Sequence, residues 1–383
     1  MFYQLPPVGN PVRLFGGVTA APLLRDYFSP YTPRFFSSGT AALAAAIGAA
    51  IRLKAVDVPE VILPAYGCPD LVSAAVFAGA RPVLVDLTPE RPWMDFDQLS
   101  SHINTSTVAI IAVNLFGIPE RMAPLRKIAD QTSVLLIEDS AQAFPVTRND
   151  SFWDGDLVVL SFGRGKPVSL LGGGAVLFRE AALDGLIPEG VEKSSNGSSQ
   201  QVLFWLQAIL YNLMISPRLY WIPQGLPLLH LGETQYQPLP NVAGMDSVRL
   251  GLLCKNINKY QSDRNDVSEK LAVLATMPGA AGKDIIDLPV ACRVTRRQRL
   301  LRYPLLVHPE RRDSIYRHLR HAGLGASRMY PSSLPGIQGL EVLLDGQADF
   351  PAAEDFSRRI LTLPTHTRLR SRDIRKMRHI LNS

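Results

Sequence analysis

The sequence has few cysteines, and no hydrophobic run is long enough to span a membrane. Only three cysteines occur among its 383 residues, Cys68, Cys254 and Cys292, and their spacing matches no metal-binding motif. Because the number of cysteines is odd, they cannot all pair as they do in the disulfide framework of a secreted protein. The N-terminal residues lack the charged and then apolar order of a signal peptide. We therefore expect a cytoplasmic protein without a metal site.

Zinc-finger, helix-turn-helix and basic-aromatic signatures are absent, so no nucleic-acid partner is expected. With 46% hydrophobic and 19% charged residues, the chain has the composition of a globular protein. Its formal net charge of +6 is concentrated in basic runs that begin at Arg293, Glu310 and Arg368. These runs are typical of solvated helix faces, or of a surface that attracts anions such as nucleotide diphosphates or acidic lipids.

The first half of the chain alternates apolar runs with helical patterns. Six runs predict strands: EVILP from Glu60, RPVLVD from Arg81, TVAIIAV from Thr107, SVLLIED from Ser133, DLVVLSF from Asp156 and GGAVLF from Gly173. Helices are predicted between them, at Thr40 to Leu53, Asp70 to Phe77 and Glu120 to Ala129. Strands that are apolar on both faces belong to a parallel or mixed sheet covered by helices. We expect a large three-layer α/β domain over residues 1–245.

The second half predicts a smaller α+β domain over residues 246–383. A helical pattern from Asp246 to about Met277 indicates a long helix that links the two domains. A strand candidate, RYPLLV from Arg302, is then followed by two helical segments, DSIYRHLRHAG from Asp313 and AAEDFSRRIL after Pro351.

An apolar insert at about residues 200–235 breaks the pattern of the large domain. Its core, Val202 to Leu231, is dense in aromatic residues, and Pro217, Pro223 and Pro227 limit any unbroken helix to about Gln201 to Ile215. Such a helix is too short to span a bilayer. Its apolar surface favours burial in a subunit interface, contact with a membrane surface, or a substrate pocket, and the sequence leaves these three alternatives open.

The first chemical signal is a turn of small residues, SSGTAAL from Ser37, that opens into an alanine-rich helix. A helix N-terminus presents unpaired N–H groups and a partial positive charge, so this turn can hold a phosphate group. A plain N-cap at Ser38 or Thr40 explains the pattern equally well.

The second signal is an acidic pair, Glu138 and Asp139, at the end of an apolar run. A carboxylate at the carboxyl edge of a sheet can pair with a protonated pyridine nitrogen and keep that ring an electron sink. Glu138 is the alternative candidate for a purely structural role. Taken alone, such a pair more often binds a cation or caps a helix.

The third signal places Ser161 and Lys166 between a strand and a triple glycine. The GRGK stretch is not a nucleotide-binding P-loop, because Leu160 replaces the required first glycine and Pro167 replaces the Ser or Thr after the lysine. A lysine in such a loop forms Schiff bases readily when its pKa is lowered, although a surface cation is the simpler interpretation. The ordered set of phosphate turn, Asp139, Ser161 and Lys166 favours a pyridoxal 5′-phosphate (PLP) site.

Nine segments together resemble the DegT/StrS family of fold-type-I PLP aminotransferases, over nearly the whole chain. They are SGTAAL from Ser38, EVILPAY from Glu60, GARPVLVDLTPERPWMD from Gly79, TVAIIAVNLFGIPERM from Thr107, IEDSAQAF from Ile137, SFGRGK from Ser161, RYPLLV from Arg302, MYPSSL from Met329 and LTLPTHT from Leu361. The resemblance implies a homodimer that moves an amino group from an amino acid, with glutamate as the expected donor, to a keto-sugar nucleotide. A PLP enzyme with a non-sugar substrate and a non-catalytic binding subunit are the alternatives.

The resemblance also implies roles for individual residues. Lys166 would carry PLP as a Schiff base and move the proton between substrate and cofactor, and Asp139 would hold the pyridine nitrogen. Gln142 would contact the cofactor ring. The phosphate group would be bound by Gly39, Thr40, Ala41 and Ser161.

Three positions depart from the family's pattern. Cys68 stands where an aromatic residue usually stacks on the pyridine ring, with Tyr66 two residues earlier. The segment NVAGMDS lacks the family's arginine, and Asn241 is expected to keep the phosphate contact in the partner's site. Leu171 and three glycines replace the usual glycine-glutamate-glycine-glycine.

Overall fold

The computed structural model describes most of the chain. The described residues are 3–15, 24, 27–147, 152–190, 198–226, 234–263, 267–272, 284–295, 299–347 and 349–382.

A seven-stranded mixed sheet forms the centre of the larger part. Its strands are β1 Thr32–Phe36, β2 Glu60–Pro64, β3 Arg81–Val85, β4 Thr107–Val113, β5 Leu135–Asp139, β6 Leu157–Ser161 and β7 Gly174–Phe178. Their order is β1-β7-β6-β5-β4-β2-β3. Strands β2 to β6 pair in parallel, whereas β7 is antiparallel to both β6 and β1. All six predicted strands are confirmed, and β1 was missed because Pro33 and Arg34 interrupt its apolar pattern.

Helices cover both faces of this sheet. They are α1 Gly39–Lys54, α2 Asp70–Phe77, α3 Phe96–His102 and α4 Met122–Thr132. Along β2, Val61 and Leu63 join the core cluster that contains α1 and α2, whereas Ile62 joins the cluster that contains α3 and α4. Successive strand residues point to opposite faces, so both faces are apolar and both are covered. The predicted three-layer α/β/α arrangement is confirmed.

The middle of the chain forms helices α5 Ser198–Met214, α6 Trp221–Gln224, α7 Ser247–Ser262 and α8 Val267–Ala272. The expectation of one continuous helix from Asp246 to Met277 is wrong, because Asp263 has extended backbone angles and ends α7 at Ser262. Residues 273–277 of that expected helix, and residues 227–233 of the apolar insert, lie outside the described residues.

The last part of the chain forms a small antiparallel sheet with flanking helices, as predicted. Its strands are β8 Ile285–Asp287, β9 Arg302–Val307 and β10 Ile360–Pro364, and its helices are α9 Leu288–Ala291, α10 Pro309–His321, α11 Pro351–Arg359 and α12 Ser371–Asn382. The N-terminal segment packs against this part, because Leu5 N donates to Gly323 O at 2.8 Å. The division at residue 245 stays a prediction. Within the described part of the chain, no helix has the length and apolarity to cross a membrane.

Candidate active site

A cavity lies where the parallel strands β5 and β6 end and helix α1 begins; we call it the sheet-edge cavity. Strand ends at this edge are the usual ligand position in open α/β sheets. The structure brings seven of the predicted site residues together in its lining: Gly39, Thr40, Cys68, Asp139, Gln142, Ser161 and Lys166. The carboxylate, the amine and the small-residue turn expected from the sequence therefore share one site.

One end of the cavity suits an anion. Ser38 is the N-cap of α1, and its Oγ accepts a hydrogen bond from Ala41 N at 3.0 Å. Gly39 and Thr40 of the first turn line the cavity, so a ligand bound here meets the positive end of the α1 dipole. A Cβ on Gly39 would lie 2.6 Å from Ser161 Cβ. The turn is thus capped by Ser38 and packed closely on Ser161, and any residue larger than glycine at position 39 would collide with that side chain.

The acidic pair divides into one structural and one cavity residue. Glu138 is buried, and its carboxylate accepts from Asn114 Nδ2 at 2.8 Å, Asp154 N at 2.9 Å and Gly155 N at 3.1 Å. Asp139 lines the cavity, and its Oδ1 accepts from Ala141 N at 2.9 Å. Burial raises the pKa of the Asp139 carboxyl, while the Ala141 N–H and the charge of Lys166 lower it. Asp139 is therefore the carboxylate available to a ligand.

The Lys166 loop is held by the N-terminal segment, a contact that sequence reasoning missed. Asn10 Nδ2 donates to Lys166 O at 3.0 Å, and Lys166 N donates to Gly163 O at 3.3 Å. Gly165 has a φ of +71°, a conformation that favours glycine, and it packs on Val8. Distant segments of the chain thus fix the backbone that carries the lysine.

The opposite side of the cavity contains a buried polar chain. Gln142 Oε1 accepts from Phe116 N at 3.0 Å, and Gln142 Nε2 donates to Tyr330 Oη at 3.4 Å. Tyr330 in turn hydrogen-bonds the Cys68 thiol. The pKa of this thiol is raised to about 12, mainly by burial and also by the charge of Asp70, while Lys166 opposes the shift. Cys68 is therefore a protonated thiol at neutral pH and not a thiolate nucleophile.

Two residues near the cavity were not predicted to belong to the site. Tyr330 occurs in the quoted MYPSSL segment, which was the available signal, but no role was assigned to it. Asp70 begins α2 and lines the cavity. Its charge raises the pKa of both Asp139 and Cys68.

Three predicted site residues lie outside the cavity lining. Ala41 is fully buried and its amide is bonded to Ser38. Tyr66 is buried behind the cavity, where its hydroxyl donates to Tyr330 O at 3.0 Å. Asn241 is exposed, in a segment that runs beside β1. The ring of Tyr66 packs on Phe356 at 5.0 Å between centroids, so it supports the cavity wall.

The residues present fit PLP. The cavity combines an amine at Lys166, a carboxylate at Asp139, and an anion cradle formed by the Gly39 turn and Ser161. A pyridine ring with an aldehyde and a phosphate group needs these three contacts. Gly39 is an important detail, because its missing side chain lets the α1 turn lie directly against Ser161, the other residue expected to bind the phosphate group.

Comparison with known proteins supports the same assignment. The sequence pattern of the DegT/DnrJ/EryC1/StrS aminotransferase family matches residues 33–200 and 257–382. The chain is 25% identical over 348 residues to the dTDP-4-dehydro-2,3,6-trideoxy-D-glucose 4-aminotransferase of Saccharopolyspora spinosa, which covers 89% of this chain and 81% of the relative. Residues 201–256, which contain most of α5 and most of α7, lie between the two matched ranges.

Solved structures show the same fold. The sugar aminotransferase CalS13 of Micromonospora echinospora superposes with a TM-score of 0.71 at 16% identity, over 99% of each chain. NtdA of Bacillus subtilis, solved with its bound cofactor PMP, superposes with a TM-score of 0.70 at 18% identity, over 96% of this chain and 79% of that one. On the extent of the sequence match, this chain is a PLP-dependent enzyme that belongs to the DegT/DnrJ/EryC1/StrS aminotransferase family.

Proposed function

We propose that this aminotransferase moves an amino group from an amino acid, glutamate, to a keto sugar carried on a nucleoside diphosphate. The observation that carries the proposal is the convergence of Lys166, Asp139 and the Gly39 cradle in the sheet-edge cavity. Relatives that bear names of nucleotide-sugar aminotransferases support the substrate class. One is the dTDP-4-amino-4,6-dideoxy-D-glucose transaminase of Shigella dysenteriae, 24% identical over 342 residues, or 88% of this chain and 81% of the relative.

Each residue of the cavity has a role in this proposal. When bound, PLP supplies an aldehyde and an electron-withdrawing ring. Lys166 Nζ would provide the amine that attaches it and would hold the proton to be transferred. The Asp139 carboxylate would bind and orient the ring nitrogen. Gln142 would contact the ring, and the first turn of α1 would bind the phosphate group together with Ser161 Oγ.

The substrate class is tested with a panel of keto-sugar nucleotides. The purified holoenzyme is incubated with glutamate and each acceptor, and formation of 2-oxoglutarate and of the amino sugar is measured. We expect turnover with at least one nucleotide-linked keto sugar and none with the same sugar released from its nucleotide. Turnover with non-sugar keto acids alone would contradict the substrate class. A chain with no visible absorbance band sensitive to borohydride would contradict the cofactor itself.

We further propose a homodimer in which the apolar insert forms part of the contact between subunits. Helix α5 packs on the core through Phe204 and Ala208, yet its outer face also exposes six large apolar side chains. These are Val202, Leu203, Leu206, Ile209, Leu210 and Leu213. A helix that is apolar all round belongs to an interior, and a second copy of the chain would provide one. Asn241, exposed outside its own cavity, is then free to reach the partner's site.

Light scattering tests this contact against membrane binding. We expect Leu206→Glu with Leu210→Glu to convert a dimer into a monomer, whereas Val342→Glu, an 89% exposed position elsewhere, leaves the mass unchanged. Flotation of the intact protein with acidic liposomes is the second measurement. If the double variant stays dimeric, α5 is not part of the interface. If the wild type floats with the liposomes and the double variant does not, the apolar face of α5 binds a membrane surface.

A cytoplasmic location is part of the same proposal. The sequence has only three cysteines, Cys68, Cys254 and Cys292, and this odd number suits a reducing compartment better than a disulfide framework. Fractionation of the source cells, with recovery of the chain in the periplasmic or secreted fraction, would contradict it.

A further inference from the structure

Lys166 lies near the tip of the loop that connects β6 to β7. The base of this loop is closed by short hydrogen bonds, since Leu170 N donates to Phe162 O at 2.7 Å and Phe162 N donates to Gly173 O at 2.8 Å. At the tip, the bond from Lys166 N to Gly163 O is longer, at 3.3 Å. A longer hydrogen bond is weaker, so contacts from other segments are important for the position of the lysine backbone.

Asn10 makes such a contact with the tip of the loop. Its Nδ2 atom lies 3.0 Å from Lys166 O and 3.4 Å from Pro167 O, so one amide group donates to two consecutive carbonyls. A lysine side chain is a flexible four-carbon stem with its amine at the end. The reach of the amine therefore depends on where the backbone holds the start of that stem, and Asn10 fixes the peptide at this point.

Residues 10–12 are held in turn by helix α5. Tyr211 Oη donates to Asn10 O at 3.2 Å. The next residue, Asn212, donates to Val12 O at 2.8 Å and accepts from Val12 N at 2.9 Å. Two consecutive residues of α5 therefore fix the backbone on both sides of Pro11. The Asn10 side chain reaches Lys166 from a backbone that α5 has placed.

Tyr211 belongs to the inner face of α5. The buried residues Phe204 and Ala208 precede it by seven and three positions, which places all three on one side of the helix. The ring also lies directly beside the Lys166 loop. Burial raises the pKa of Tyr211, while the side chain of Ser169 and the N–H group of Gly165 oppose that shift. Tyr211 therefore stands next to the loop on both sides of the lysine.

These contacts come from the stretch that the family pattern leaves out, residues 201–256. A second contact from the same stretch holds the base of the loop. Arg249 Nε donates to Leu170 O at 3.1 Å, and the Arg249 guanidinium lies 4.7 Å from the centroid of the Phe204 ring. Helices α5 and α7 thus pack on each other and on the loop. The family resemblance gives Tyr211 no role, and its contacts supply one.

We propose that Tyr211 is a positioning residue for Lys166: its hydroxyl group holds Asn10, and the Asn10 side chain holds the carbonyl of the lysine. Proton transfer by an amine requires hydrogen-bond reach to the reacting atom. A displacement of about 1 Å can lower a rate by about 10²-fold, even when its cause lies far from the chemistry. The apolar insert thus has an inner face that keeps the catalytic lysine in place.

The test compares Tyr211→Phe, Asn10→Ala and the two combined. Tyr211→Phe keeps the packed ring and removes only the hydroxyl group. The matched control is Tyr303→Phe, which removes a buried hydroxyl group that donates to Asp287 in the small part. For each holoenzyme we measure the pH dependence of the visible band of the bound cofactor, and the rate at which saturating amino donor removes that band. Hydrogen exchange of residues 163–169 is measured on the apo-enzymes, together with unfolding temperatures.

We expect Asn10→Ala to slow the donor reaction by at least about tenfold at saturating donor, and Tyr211→Phe to slow it in the same way but less. Both should shift the pH midpoint of the visible band and speed exchange in residues 163–169. The combined variant should be no slower than Asn10→Ala, because the two residues act in one series of contacts. Tyr303→Phe should lose stability and keep the wild-type band, exchange and rate.

Three results would overturn the inference. One is a Tyr211→Phe enzyme with the wild-type band, exchange and rate, a result that stands even if Asn10→Ala does not fold. Another is a combined variant whose loss is the product of the two single losses. The third is a higher KM for the donor at an unchanged maximal rate, which indicates a binding contact. None of these measurements uses an acceptor, so they are independent of whether a nucleotide sugar is aminated.

Discussion

The sheet-edge cavity and a second cavity, of about 380 Å³, share no lining residue and are built in different ways. The second cavity lies among residues 9–13, 167–169, 299–301 and 365–368. The first collects residues that directly follow strands or begin a helix, such as Asp139, Ser161 and Gly39. The second collects cations from segments far apart in the chain, including Arg13, Lys259 and Arg368. The first therefore leaves local motifs in the sequence, whereas the second leaves only a diffuse basic excess.

The two cavities also differ in the balance of charged residues in their linings. In the sheet-edge cavity the described lining has one cation, Lys166, and two carboxylates, Asp70 and Asp139, and the charge of Lys166 lowers the Asp139 pKa. The described lining of the second cavity keeps an excess of positive charge, with Arg13, Lys259, Arg299 and Arg368 against Asp263. Substitutions at Lys166 and Asp139 should change the chemistry, whereas substitution of His366, which lines the second cavity, should change stability.

Replacement of Lys166 should give the largest effect. We expect Lys166→Ala to lower turnover by about 10⁴-fold or more, because no other amine would attach the cofactor or hold the proton, and acid–base help alone gives up to about 10⁴-fold. The unfolding temperature should stay near that of the wild type. Turnover is measured with glutamate and the acceptor found in the panel. Lys127→Ala, an exposed lysine on α4, is the control, and near-normal turnover of Lys166→Ala would disprove the assignment.

The acidic pair offers the next test. We expect Asp139→Asn to lose about 10²-fold in turnover while its stability changes little, because an amide cannot compensate the charge of a protonated ring nitrogen. Glu138→Gln should lower stability and change turnover little, since the Glu138 carboxylate accepts hydrogen bonds from Asn114, Asp154 and Gly155. Its expected cost is about 1–3 kcal/mol of unfolding free energy.

Turnover and urea unfolding of the two variants are measured side by side. Equal losses of turnover in both, at equal stability, would show that the division of roles between these neighbours is wrong.

Much of the sheet-edge cavity could be read from the sequence because its residues are adjacent to apolar runs. The strand ending at Asp139 and the turn at Gly39 each combine a periodic signal with a chemical one. The supporting residues could not be found in this way. Tyr330 reaches the cavity only through the packing of the small part on the large sheet, and Asn10 reaches the Lys166 loop from the N-terminus.

The end of α7 and the short strand β1 also could not be predicted from the local sequence. The periodicity through α7 continues beyond Ser262, and only the extended backbone of Asp263 ends the helix. Strand β1 depends on its antiparallel pairing with β7, because its own sequence, TPRFF, is a poor strand pattern. Both features are decided by tertiary contacts that a local pattern does not contain.

A pH-dependent effect on stability is expected at His366, beneath the second cavity. Burial lowers its pKa in the folded chain to about 4, from the ordinary imidazole value of 6.5. The unfolded chain therefore binds the proton first as the pH falls through 6.5, and the stability contributed by the neutral ring is lost between about pH 6.5 and 4. Between pH 7 and pH 5 the loss is about 2 kcal/mol.

Urea unfolding at the two pH values measures this loss. His366→Gln should lose about 2 kcal/mol less than the wild type over that interval, since glutamine does not titrate. His308→Gln, an exposed histidine, should behave like the wild type. Equal pH dependence in the wild type and His366→Gln would show that the buried ring is not the titrating group.

The smallest expected effect tests the anion cradle of the sheet-edge cavity. In Gly39→Ala the new Cβ would lie 2.6 Å from Ser161 Cβ, closer than carbon atoms pack, so the turn or Ser161 must shift. Overpacking of this kind costs about 1–3 kcal/mol, and we expect cofactor affinity to fall by about tenfold. Gly163→Ala is the matched control, because its Cβ would meet Ser161 Oγ at an ordinary 3.5 Å. Cofactor dissociation constants are measured by absorbance titration of the apo-enzymes, together with their unfolding temperatures. If Gly39→Ala binds the cofactor as tightly as Gly163→Ala, the phosphate group is not held in the α1 turn, and the sheet-edge cavity must bind PLP in another orientation.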